Sequence, residues 1–135
     1  MKFANPFKKK SIKKAESIPL DPNEIPEPTD LAGYLRRGWA YHSRAQNDRA
    51  EQDFRQALAL APDTVDSQYA LGLVLKAQGR KSEAIEAFKK AVELLDAGKV
   101  EDHSTTEMLH RLSMGHINEL SLGDWNLEEQ IWHRI

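Results

Sequence analysis

Slid by 34 residues, the chain matches itself. Gly38 falls on Gly72, Tyr41 on Leu75, Ala50 on Ala84, Phe54 on Phe88, Ala57 on Ala91 and Leu60 on Leu94. A fixed period of this length is the signature of stacked supersecondary units. Each such unit buries one face on its neighbour and contacts little else. The matched residues are small or large in a fixed order, which suits close packing of helices: glycine and alanine let two backbones approach, and an aromatic fills the remaining space.

The local pattern is helical. From Leu31 onward a single proline, Pro62, interrupts, and apolar residues recur at helical spacing. Leu31, Leu35, Gly38, Trp39 and His42 fall on adjacent turns of a first segment, and Ala50, Phe54, Ala57, Leu58 and Ala61 mark a second. Asn47 or Asp48 is expected to cap that second helix, and Asp63 or Thr64 the third, after a stop at Pro62. "VDSQYALGLVLKAQ" and "KSEAIEAFKKAVELL" repeat the scheme, with a turn at Gly79. Ser104-x-x-Glu107 reads as a capping box before "MLHRLSMGHINELSL". "GDW" turns the chain, and Leu127, Ile131, Trp132 and Ile135 form a last apolar stripe. The expectation is about six helices and no strand.

The period and residue types resemble the tetratricopeptide repeat. Tyr34, Gly38, Tyr41, Ala50, Phe54, Ala57 and Pro62 match its pattern in a first unit, and Leu71, Gly72, Leu75, Ala84, Phe88 and Ala91 in a second. The departures are Arg37, where the family has leucine, Gln68, where an aromatic is usual, and Asp96, where proline is usual. The resemblance implies an all-α fold: a short right-handed α-solenoid of antiparallel helix pairs, with an extended N-terminal tail. The division is 1–30 as an extended or disordered tail, 31–64 as repeat 1, 65–98 as repeat 2, and 104–135 as a divergent third repeat that caps the stack. An unrelated helical hairpin packed on two repeats is the alternative for the last segment. Gly115 and Gly123 stand eight apart, whereas Gly72 and Gly79 stand seven apart, and the Ala-x-x-x-Phe motif is missing there.

Little in the chain carries chemistry. There is no cysteine, which removes disulfides and thiol catalysis. The seven glycines form no cluster, so no phosphate loop or nucleophile elbow exists. Glu107 with His110, and His116 with Glu119, have the i,i+3 spacing of bundle metal sites, but a second helix would have to repeat it. The bland reading, solvated or locally bonded side chains, is preferred. No catalytic residue, metal, cofactor or small-molecule substrate is expected.

The resemblance implies instead that the first helix of each pair lines a concave groove. On repeat 1 the matching positions are Ala32, Leu35, Trp39, His42 and Ser43; on repeat 2 they are Asp66, Tyr69, Leu73, Lys76 and Ala77. On the third unit they are Leu109, Leu112 and His116. An apolar centre with a sparse polar rim suits an extended or helical segment of another protein. The competing reading is that Trp39 and Tyr69 simply pack on their neighbours. Relatives that clamp the acidic C-termini of chaperones use lysine and asparagine at positions matching Leu35, Trp39 and Ala70, so that partner is not expected. The function implied is an adaptor or assembly factor; the rival is a permanent subunit of a larger complex, held through the tail and the last helix, and a third, less favoured class is a ribosome- or RNA-associated factor acting through the lysines.

Charge is segregated before residue 31. Residues 1–14 hold six lysines and no acid; residues 15–30 hold five acids and no base. Lys8, Lys9, Lys10, Lys13 and Lys14, interleaved with Phe3, Phe7 and Ile12, are candidates for contact with an anionic membrane surface or a large assembly. A solvated end is the commoner fate of such a run. A net charge of -2 argues against nucleic acid as the partner of the whole chain. Ile18, Leu20 and Ile25 are further expected either along the chain's own groove or against Arg37, with Glu24, Glu27 and Asp30 in reach. No apolar run suits a signal peptide or a membrane span, so a cytoplasmic protein, with a membrane-peripheral variant, is the default.

Overall fold

The computed structural model describes residues 21–125, and within them five α-helices follow a short 3-10 turn at Pro22–Glu24. They are α1 (Leu31–Ser43), α2 (Asn47–Leu60), α3 (Val65–Ala77), α4 (Lys81–Asp96) and α5 (His103–Leu122). The expected sixth helix, on the stripe from Leu127 to Ile135, lies outside the described residues. Each helix packs chiefly on its neighbours in the chain, and α1 also touches α3. That is the contact order of a stack of helix pairs.

Glycine–aromatic pairs set the close approach within each unit. A Cβ on Gly38 would lie 2.5 Å from the Phe54 ring, and one on Gly72 would lie 2.7 Å from the Phe88 ring. No side chain fits at either place, so the Phe54 ring of α2 lies directly on the α1 backbone and the Phe88 ring of α4 on the α3 backbone. Phe54, Phe88, Ala50, Ala84, Ala57 and Ala91 are all fully buried. Phe54 shares one core with Ala70, Leu71 and Val74 of the next unit, so it bonds pairs together as well as closing its own. Leu109 of α5 completes a second core with Val65, Ala91 and Leu95.

Three expected caps are not used. α2 starts at Asn47 with Gln46 at the cap position and no side-chain cap; Asn47 and Asp48 already lie inside the helix, and Asn47 Oδ1 is 3.2 Å from His42 Nδ1. α3 has Thr64 at the cap position, but its hydroxyl turns back to donate to the Ala61 carbonyl at 2.7 Å. α5 begins five residues before the apolar run. Its cap is Asp102, which accepts from the Thr105 amide at 2.9 Å and from the Thr105 hydroxyl; Ser104 already lies inside the helix. The Asp102 carboxyl is held below its ordinary pKa by the Thr105 hydroxyl first and the Thr105 amide second. Gly79 and Gly123 do end their helices with φ of 75° and 85°, a conformation in which a Cβ is strained.

The N-terminal edge carries a strap. Ile25, Pro22 and Pro28 are buried. The strap borders the α1–α2 turn at Asn23 and reaches Gly33 at Pro28, so it runs back along α1. Arg37 sits beneath it. Its guanidinium donates to both oxygens of Asp53, at 2.9 and 2.8 Å, and to Glu27 of the strap at 2.8 Å. The Asp53 side chain is 4% exposed and that of Arg37 15% exposed, whereas that of Glu27 is 78% exposed. The charge that departs from the repeat pattern is therefore bidentate with a buried acid and tied to the strap. Ile18, Leu20 and the lysines of residues 1–14 lie outside the described residues.

Candidate functional site

The expected groove positions form rows one helical turn apart. Leu35, Trp39 and His42 follow i, i+4, i+7 on α1, and Tyr69, Leu73 and Lys76 do the same on α3. Trp39 is 38% exposed and packs edge-on against Phe54, with centroids 5.2 Å apart, and against His42 at 5.8 Å. Leu35, Tyr69 and Leu73 are half-buried on the main core. Asp66 is exposed in the first turn of α3, where a helix N-terminus favours an acid. Ala32, Ser43 and Ala77 are exposed beside the rows.

On α5 the row is Leu112, His116 and Glu119. Gly115 stands 43 residues after Gly72, and shifting the α3 row by that amount gives these three positions. One expected groove position is not on that surface. Leu109 is 7% exposed and belongs to the core between α3, α4 and α5, because it faces Val65 and Leu95 rather than solvent. Ala70, which matches a clamp position of the chaperone-binding relatives, is fully buried in the main core. Glu119 was the missed member; the Gly72–Gly115 offset was the signal for it.

α5 is joined to α3 across these rows. The Tyr69 hydroxyl lies 3.3 Å from His116 Nε2, and Lys76 Nζ lies 3.1 Å from His116 Nδ1 and 3.0 Å from a Glu119 oxygen. The His116 ring stacks on Phe88, with centroids 4.8 Å apart and planes 13° from parallel, and meets Trp125 edge-on at 4.8 Å. A Cβ on Gly115 would overlap the Trp125 ring, and Asn118 Nδ2 donates to the Trp125 carbonyl at 3.1 Å. Trp125 thus fills on Gly115 the place that Phe54 and Phe88 fill on Gly38 and Gly72. His116 and Glu119, expected as solvated or locally bonded side chains, make contacts to α3. His110 meets Asp96 of α4 at 3.4 Å.

Among the described residues no group of histidines and acids has the arrangement to hold a metal ion, and no helix is long and apolar enough to cross a membrane.

A family model described as "Tetratricopeptide repeat" matches residues 35–99. The chain is 31% identical over 84 residues to the small glutamine-rich tetratricopeptide repeat-containing protein 2 of Saccharomyces cerevisiae. That match covers 62% of this chain and 22% of the relative, so the chain spans about a fifth of that protein. Repeats of this family are protein–protein interaction modules and are generally not catalytic. The Gly38–Phe54 and Gly72–Phe88 pairs, the contact order of the helices and the family match agree: residues 35–99 of this chain are tetratricopeptide repeats.

Proposed function

We propose that the rows on α1, α3 and α5 hold a segment of a partner protein through apolar anchors, making the chain an adaptor or assembly factor. The observation that carries this reading is Trp39. A tryptophan that served only the core would be covered, yet 38% of it is exposed between Leu35 and His42. Half-buried aliphatic and aromatic side chains on the neighbouring helix, Tyr69 and Leu73, extend the apolar floor, and Leu112 continues it on α5. Aromatic anchors in partly desolvated sites dominate the binding energy of protein interfaces. His42, Asp66 and the Lys76–Glu119 pair supply a polar rim.

Affinity capture from the native cell tests the reading. Wild-type chain is compared with Trp39→Ala and with Leu60→Ala, which removes an exposed apolar residue from α2. The expected result is a partner retained by wild type and Leu60→Ala and lost by folded Trp39→Ala. A partner held equally by all three excludes the groove.

A further inference from the structure

We propose that His116 is a proton-sensitive latch that ties α5 and Trp125 to repeat 2 and loosens that junction in mild acid. This rests on the geometry around the ring and does not depend on the groove reading.

Both ring nitrogens face partners from α3. Lys76 is an ammonium and can only donate, so Nδ1 must be the bare acceptor and Nε2 must carry the proton, which it donates to the Tyr69 hydroxyl. One tautomer of neutral imidazole satisfies this set. A second proton would place an N–H on Nδ1, aimed at the Lys76 ammonium 3.1 Å away. That contact would turn from a hydrogen bond into an opposition of two cations. Glu119, one turn along on α5, is the acid that faces this cluster, and it is already shared with Lys76 at 3.0 Å. Its bond is to Lys76 and not to the His116 ring, so it does not relieve the opposition of the two cations at Nδ1. Either Lys76 leaves for the solvent or His116 leaves Phe88. Each outcome removes a contact between α3 and α5, and the second also withdraws the edge on which Trp125 rests.

The surroundings act in the same direction. Burial first, and the Lys76 charge second, lower the His116 pKa from its ordinary value, against a smaller opposing effect of Glu119. Burial also raises that of Tyr69, which stays a neutral phenol throughout this range. A histidine with a depressed folded-state pKa contributes no penalty while both states are neutral. As pH falls through the ordinary histidine value near 6.5, the unfolded or opened state binds the proton first. The junction is therefore firm at neutral pH and is progressively lost below it.

The test uses the full chain. NMR of ring-labelled histidine is expected to show His116 as the Nε2–H tautomer, titrating below the ordinary histidine value near 6.5. Amide exchange in α5, corrected for intrinsic pH effects, should rise several-fold between neutral and mildly acidic pH in wild type. His116→Phe keeps the ring stack on Phe88 without a titrating group and should lose that dependence. A His116 that titrates at or above the ordinary histidine value near 6.5, or an α5 whose corrected exchange is independent of pH, overturns the latch. Should His116→Phe fail to fold, the wild-type titration and exchange still decide.

Discussion

Residues 34 apart do opposite things at two edges of the same fold. At the junction between the repeats, Leu71, Leu75 and Ala87 are buried and apolar. At the N-terminal edge the residues matching Leu71 and Ala87 are Arg37 and Asp53, whereas Tyr41, which matches Leu75, is buried in the main core as Leu75 is. The backbone positions are equivalent; the neighbours are not. Leu71 and Ala87 line one seam with Leu58 of the preceding unit's α2. Arg37 and Asp53 face the strap, which offers Glu27 and the buried Ile25, Pro22 and Pro28 in place of a helix. An uncovered apolar edge would invite another unit to stack, and terminal units of such arrays need a polar outer face. The bidentate Arg37–Asp53 pair closes the stack, with the Arg37 pKa raised, chiefly by the Asp53 hydrogen bond.

Exchanging the two kinds of edge gives the largest expected effect. Leu71→Arg buries a guanidinium where Ala87 offers no acid, and it should cost more than about 4 kcal/mol, read as a collapse of the thermal midpoint. Adding Ala87→Asp should return part of that loss. Next comes Asp53→Ala, which leaves Arg37 with Glu27 alone. About 3 kcal/mol is expected in chemical denaturation. Arg37→Leu with Asp53→Ala makes the outer edge resemble the inner one; its stability should lie within about 1 kcal/mol of wild type, since replacing a buried pair by apolar groups is often neutral. The same double variant should self-associate in sedimentation, because its edge is now an open junction. Glu27→Gln should cost under about 1 kcal/mol, given that its side chain is mostly in solvent. A large effect of Glu27→Gln, or a monomeric double variant, would show that the strap rather than the charge pair closes the stack.

These contrasts explain what the sequence made legible. The Gly38–Phe54 and Gly72–Phe88 pairs were readable because their spacing is fixed by helix geometry and recurs unchanged. The rows through Trp39 and Leu73 followed from the same period. The third unit was harder, since its aromatic comes from Trp125, ten residues after Gly115, not sixteen as in the repeats. The start of α5 was hidden because Asp102 precedes four polar residues and a glutamate, with no apolar residue to show the period. Arg37 was legible as an exception, but Asp53 was not, because nothing local indicates that an acid on one helix faces a base on another. His116 likewise gives no sign of Lys76, which stands 40 residues earlier. Buried hydroxyls were also silent: Ser67 and Ser113 lie in the core with unpartnered oxygens. Ser67→Ala should therefore leave the thermal midpoint nearly unchanged, the smallest effect expected here.

Amide chemical-shift mapping with the captured partner's segment tests the central claim most directly. Titrating the segment is expected to shift the resonances of Leu35, Trp39, Tyr69, Leu73 and Leu112 and to protect the Trp39 indole. Shifts confined to the outer helices α2 and α4, with the Trp39 indole unmoved at saturation, would contradict it.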